Sequence, residues 1–268
     1  VFEHWFDGAC GEGPSGKRQE YDWPLFHSVV RQLSPQAVMF SDIGPGCRWM
    51  GNERGIAGET NWSRMDTEGF SPGAGAPPRD TLQTGNVHGA HWIPAEVDVS
   101  IRPGWFWRES ENSSVKSVEQ LADIWMTSVG RNALLLLNVP PDTRGRIHEV
   151  DSVRLMELRS ALDQIFATDL AGKVQRKGNS WTVEAKGAFN RLVLQEDIRN
   201  GQRIAAFTVE ALTEEGWKAL ARETTVGYKR ILLLPESHAS QIRITVTESL
   251  GKPLFGSIGL YYDPIYHE

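Results

Sequence analysis

Along the first part of the chain, apolar positions alternate between two periods. VFEHWFDG, at the start, reads as a strand. From Trp23 to Leu33, Phe26, Val29, Val30 and Leu33 recur at helical spacing, and Ser34-Pro35 ends the run. AVMFSDIG, from Ala37, predicts a second strand, and a long Gly/Pro-rich loop follows over about 44–90. WIPAEVDVSI, from Trp92, predicts a third. Ser117 is placed to cap a helix over about 118–129, with Leu121, Trp125 and Val129 on one face. ALLLLNVPPD is nearly all apolar, as in a parallel strand covered on both faces. A last helix is predicted over about 149–166.

This is βα repetition around a parallel sheet. Four strands are counted, where a closed (β/α)8 barrel needs eight. Polar residues gather just after the strands: Asp7, Asp42, Arg48 and Glu53, Asp98 and Arg102, and Asn138. In such a barrel the C-terminal strand ends carry the chemistry. After about Leu170 the period changes to two. SWTVEAK, FNRLVLQEDI, RIAAFTVEAL, KRILLLP, QIRITVTES and GSIGLYYDP are short strands separated by turn residues. They predict an antiparallel β-sandwich. The expected fold class is α/β plus all-β, with a half-barrel over 1–168 and a β-sandwich over 169–268.

Composition narrows the function. The net charge is −6 and no basic tract stands out, which argues against nucleic acid or an anionic membrane as partner. No apolar run is long enough to span a bilayer. Cys10 and Cys47 do not form a disulfide framework and are expected as free thiols. The ten Trp suit both a core and a sugar-stacking surface. GEGPSGK lacks the spacing of a phosphate-binding loop. His88 and His91 have no carboxylate cluster at ligand spacing, so no metal and no cofactor is expected.

Asp7 ends its strand within FDG, and Glu53 lies beyond the next strand in CRWMGNERG. Loops after neighbouring strands meet at one barrel face, where two carboxylates can converge. Facing carboxylates with aromatics around them are the minimum equipment for glycoside hydrolysis, one ionised to attack and one protonated to give its proton away. Trp5 shares the face of Asp7, toward either a sugar or the core, while His4 faces away. Arg48 is read as orienting a carboxylate or making a loop ion pair. Trp49 and Trp62 are read as walling a sugar or packing the loop. Arg102 and Trp105 are read at the aglycone side or in a structural lid.

Taken together, WFDGACGEGP, RWMGNERGIAGETNW, WIPAEVDVSIRPGWFW and NALLLLNVPPDTRGRI resemble, in this order, the α-L-fucosidases of glycoside hydrolase family 29. The WFDGA block is more similar to the branch acting on α-1,3/1,4-linked fucose. The resemblance implies a retaining double displacement on a fucosylated oligosaccharide or glycoconjugate. It implies Asp7 as nucleophile and Glu53 as acid/base, with Glu59 of GETNW as runner-up. Trp5, Arg48, Trp49, Glu96 and Arg102 are the candidate substrate contacts, Glu96 being either a binding or a structural carboxylate. The resemblance also implies that this is the second half of the barrel, with the first half in a preceding segment or a separate chain, and that the enzyme works outside the cell or in the periplasm. The competing expectation is a non-catalytic carbohydrate-binding protein, or an inactive fragment that binds through its β-sandwich.

Overall fold

The structure is a computed structural model that describes residues 1–11 and 14–264. Glu12 and Gly13, within the glycine-rich GEGPSGK stretch, lie outside the described residues.

The first part runs β1 (Glu3–Trp5), α1 (Trp23–Leu33), β2 (Val38–Ser41), β3 (Cys47–Trp49), β4 (Arg64–Met65), α2 (Arg79–Thr84), β5 (His91–Trp92), β6 (Ala95–Ser100), α3 (Val118–Ser128), β7 (Ala133–Asn138) and α4 (Glu149–Ile165). Five strands make a parallel sheet in the order β1-β2-β3-β6-β7. The sequence reading counted four. The additional strand is β3, three residues long and embedded in what reads as loop. Its run is too short to show a period, and it is defined by pairing with β2 and β6 on its two sides. The expected strand from Trp92 is also divided. Trp92 pairs antiparallel with Arg64 in a small hairpin, and the parallel strand begins only after Pro94, at Ala95.

Local sequence accounts for the helices. Asp22 accepts the Leu25 N–H at 3.0 Å, and Pro24 occupies the first turn of α1, where its missing N–H costs nothing. At α3, Ser117 and Gln120 form a reciprocal capping box. The outer sheet face carries Ala95, Val97 and Val99, which pack with Leu135, Leu121 and Ile124 beneath the helices. The inner face carries Glu3, Trp5, Cys47, Trp49, Glu96 and Asp98. Cys47 Sγ is 4.0 Å from Glu3 Oε1 although β2 separates their strands, and 3.8 Å from Glu96 Oε2. Side chains on a flat sheet two strands apart would stay about 9–10 Å apart, so this face is concave, as in part of a barrel.

The second part is all strand: β8 (Ala171–Lys177), β9 (Ser180–Ala185), β10 (Phe189–Glu196), β11 (Ile204–Thr213), β12 (Gly216–Thr224), β13 (Arg230–Ser237), β14 (Gln241–Ser249) and β15 (Phe255–Tyr261). A five-stranded sheet, β12-β11-β14-β9-β8, and a three-stranded sheet, β13-β10-β15, share one core. Trp181, Phe189, Leu192, Phe207 and Ile244 belong to it. The sequence pattern missed β8 and β12, the two edges of the larger sheet. Neither carries a fully buried residue, so neither shows the apolar alternation by which their neighbours are recognised.

A buried polar seam joins the two parts. Gln202 accepts the Ser63 N–H at 2.9 Å and donates to the Asn61 carbonyl at 2.9 Å. Asn132 accepts the Tyr228 N–H at 2.7 Å. No helix among the described residues is long and apolar enough to cross a membrane.

Phe207 is fully buried in the sandwich core. Phe207→Ala is expected to lower stability by about 3–5 kcal/mol, measured by denaturant unfolding. A loss under about 1 kcal/mol would mean that the two sheets do not share this core.

Candidate functional site

At the C-terminal ends of β1, β2, β3 and β6 lies a pocket of about 350 Å3. Trp5, Asp7, Asp42, Trp49, Glu53 and Asp98 all line it. Its floor is aromatic: Trp5 stacks on Phe40 with ring centroids 4.5 Å apart.

Asp7 stands two residues beyond Trp5, exposed to the pocket. Its Oδ1 accepts the Ala9 N–H at 2.8 Å, which fixes the carboxylate at the turn leaving β1. The glycine of FDG is a packing requirement. A Cβ on Gly8 would fall 2.3 Å from Gly73 N and 2.8 Å from Asp42 Oδ2. Gly73 has φ +78, and a Cβ there would meet the Gly8 carbonyl at 2.1 Å. This close approach lets the Gly73 N–H donate to Asp42 Oδ2 at 2.6 Å.

Glu53 reaches the pocket from the loop after β3. Its Oε2 is 3.4 Å from Trp105 Nε1. Asn138, at the end of β7, donates to the Trp105 carbonyl and to Ser100 Oγ, each at 3.0 Å, and so steadies the loop that carries this indole. Trp49 Nε1 donates to Asp98 Oδ1 at 2.8 Å. Burial pushes the Asp98 carboxyl up to about 6, against the Trp49 hydrogen bond, and the nearby charges of Glu53 and Asp7 add to the rise. Burial likewise raises Asp42, against its Gly73 hydrogen bond, with Asp7 again adding. The pocket therefore sets two exposed carboxylates, Asp7 and Glu53, among two buried ones that hold their protons more tightly than usual.

The other sequence candidates sit elsewhere. Arg48 is completely buried and points out of the pocket, donating to the Leu82 carbonyl at 2.9 Å, the Ile93 carbonyl at 2.6 Å and Asn61 Oδ1 at 3.0 Å. On a strand, its side chain must face away from Trp49. Arg102 is buried against α4 in an ion pair with Asp151 at 2.9 Å, over the Trp107 ring. Glu96 lies one layer below Asp98 on the same face of β6, and burial together with Glu3 pushes it up to about 8. Glu59, the alternative acid/base, is at the seam with the sandwich. Its side chain is 75% exposed and lies 3.6 Å from Arg131, and it does not line the pocket. Trp62 is core. The two residues missed as site candidates, Asp42 and Asp98, had a sequence signal. Asp42 directly follows an apolar strand pattern, and Asp98 alternates in step with Glu96 inside the next one.

Among the described residues, one group has the donor types and spacing of a metal site: Glu3, Cys47 and Glu96, with donor atoms within 4.8 Å of one another. Burial raises both the Cys47 thiol and the Glu96 carboxyl, so these two hold their protons, opposite to what a metal requires of its ligands. Both cysteines are free. A larger groove of about 480 Å3 separates α4 from the sandwich, but its carboxylates are engaged. Asp163 pairs with Arg159 at 2.7 Å, and Asp169 accepts two backbone N–H groups. At the smaller pocket two exposed carboxylates, Asp7 and Glu53, face one cavity without an ion-pair partner among the described residues.

The profile of the family described as Alpha-L-fucosidase matches residues 5–164. The chain belongs to the α-L-fucosidase family. It is 38% identical to Alpha-L-fucosidase 1 of Arabidopsis thaliana, over 98% of this chain and 58% of that protein. A glycoside hydrolase 29 family member from an unknown rumen bacterium superposes with TM-score 0.90 at 35% identity, covering 100% of this chain and 51% of that one. A Ruminococcus gnavus glycoside hydrolase 29 fucosidase, solved in complex with fucose, superposes with TM-score 0.80 at 27% identity, covering 98% of this chain and 61% of that one. The chain thus has the fold of this family and spans about half the length of the relatives it matches.

Asp98 gives a pH signature for this site. Its folded value, about 6, lies above its ordinary value of 3.8, so the folded state binds the proton more tightly than the unfolded chain. Wild-type stability from this group is full below pH 3.8 and is lost as pH rises toward 6. Asp98→Asn keeps the acceptor for Trp49 and removes the buried charge. Its melting temperature should match wild type near pH 3.8 and exceed it increasingly up to about pH 6, by scanning calorimetry. A pH-independent difference, or one of opposite sign, would refute the assignment.

Proposed function

We propose that this chain carries the catalytic carboxylates of a retaining exo-α-L-fucosidase that removes terminal, α-1,3/1,4-linked L-fucose from glycans. The observation that carries the proposal is the meeting of Asp7 and Glu53, from different strands, in one aromatic-walled pocket. Asp7, fixed by the turn at the end of β1, attacks the anomeric carbon and forms a fucosyl-enzyme ester. Glu53 first protonates the leaving oxygen and then, as carboxylate, takes a proton from the water that hydrolyses the ester. Trp5 and Trp49 offer apolar ring faces to the sugar, and the Trp105 indole aims the Glu53 carboxyl. The names of the relatives support the fucose specificity, and the form of the WFDGA block supports the linkage.

The pocket is one side of an active site. On the inner sheet face, Trp5, Val38 and Leu134 remain 42%, 37% and 47% exposed. The free edges of β1 and β7 present unpaired backbone groups. Further βα units, from the part of the family's length that this chain does not span, close the barrel over that face in this reading and complete the fucose contacts.

In protein containing both parts, Asp7→Gly is expected to lower kcat by about 10³-fold or more. Added azide should restore turnover, giving a fucosyl azide of inverted configuration, because a small anion takes the place of the lost carboxylate. An Asp7→Asn enzyme with unchanged kcat would sink the assignment.

A further inference from the structure

A second recess, of about 540 Å3, lies between the first part of the chain and the sandwich. It is away from the candidate active site. Arg64, on one wall, belongs to β4, whose partner β5 leads into the N-terminal end of β6. The catalytic pocket is built at the C-terminal ends. The walls are tied together, because Gln202, in the lining, holds the Ser63 backbone beside Arg64 and the Asn61 carbonyl.

The lining contains four basic side chains, Arg64, His88, Arg203 and Lys252, and no Asp or Glu. In a chain of net charge −6 this is a local reversal of sign. Backbone carbonyls hold the guanidinium groups in place. Arg64 donates to the Gly89 carbonyl at 2.9 Å. Arg203 donates to the carbonyls of Lys252 at 3.2 Å and Asn200 at 3.3 Å. Such bonds orient a cation without neutralising it. Among the described residues, Glu196 and Asp197 lie close enough to Arg203 to feel its charge, but their hydrogen bonds go elsewhere than its guanidinium and neither lines the recess. Glu196 accepts the N–H groups of Arg203, Ile204 and Gly227, and Asp197 is paired with Arg199 at 2.6 Å. Asp66, two residues from Arg64, accepts the Ala90 N–H. Gly201, at φ +86, lies beside Arg64, and a Cβ there would be 3.9 Å from its Nη2.

We infer that this recess binds an oxyanion, the sulfate ester or uronate carboxylate of an acidic polysaccharide, and anchors the glycan away from the catalytic pocket. Pre-oriented guanidinium groups match the paired oxygens of either group, and an exposed Lys adds a mobile charge at the rim. Oxyanion binding follows from the recess itself. Only the choice of a glycan as carrier rests on the fucosidase reading.

Affinity electrophoresis of the protein tests this, in gels containing dextran sulfate, polygalacturonate or neutral dextran. Wild type should be retarded by an acidic polymer and not by dextran. Retardation by dextran sulfate alone assigns a sulfate ester, and by polygalacturonate alone a carboxylate. Lys252→Glu and Arg203→Gln should each weaken binding by about tenfold or more. Lys218→Glu, an equal charge change on exposed edge strand β12, should leave it intact. Lys252 is exposed, so its variant tests the site without disturbing the core. Absence of retardation by both acidic polymers, or an equal loss in Lys218→Glu, would overturn the inference. Hydrolysis of a fucosyl substrate by protein containing both parts, followed alongside, separates the two claims. It should be unchanged in Lys252→Glu, and its absence from wild type that still binds the acidic polymer would count against the fucosidase reading alone.

Discussion

Concavity of the parallel sheet is the constraint on which the site depends. Parallel pairing in the order β1-β2-β3-β6-β7 brings inward-facing side chains together faster than their strands approach. Glu3, Cys47 and Glu96 meet in one layer, and Asp7, Trp49, Glu53 and Asp98 gather in the layer above. Convergence has an electrostatic cost, since carboxylates brought out of water and close to one another resist ionisation. The structure divides that cost unequally. Glu96 and Asp98, deep on β6, are raised toward neutrality, whereas Asp7 and Glu53 stand at the pocket mouth. Raised toward neutrality, these buried groups place fewer like charges beside the two exposed carboxylates.

Two buried arginines hold this frame from behind. Arg48 leaves the same strand as Trp49 but on the opposite face, where it satisfies the carbonyls of Leu82 and Ile93 and the amide of Asn61. Asn61 in turn belongs to the seam with the sandwich. Arg102 locks the segment after β6 to α4 through Asp151. Neither touches the pocket. Each positions a strand end, in one case that of Trp49, which lines the pocket, and in the other the loop of Trp105, which contacts Glu53.

Much of this was legible in the sequence. The helices over Trp23–Leu33 and Val118–Ser128 were readable because their periods and caps agree. Six of the eight sandwich strands were readable because each buries one face. β3, β8 and β12 were not, since a three-residue strand has no period and neither edge strand has a fully buried residue to mark an alternation. The placement of Asp7 followed from strand alternation with Trp5. The burial of Arg48 and Arg102 could not be read, because a strand-borne arginine presents the same letters whether it faces a substrate or a ring of carbonyls. Glu53 and Glu59 were both acidic residues of one loop in the sequence. The fold separates them, sending Glu53 to the Trp105 indole and Glu59 to Arg131 at the domain seam.

The central claim is that Asp7 is the residue that bonds to the sugar. A 2-deoxy-2-fluoro-L-fucosyl fluoride tests it most directly, because fluorine at C2 slows hydrolysis of the covalent ester while a good leaving group still lets it form. Peptide mapping after labelling should find one fucosyl adduct, in the peptide WFDGA, on Asp7. An adduct on Asp42, Asp98 or Glu53 instead would contradict the account.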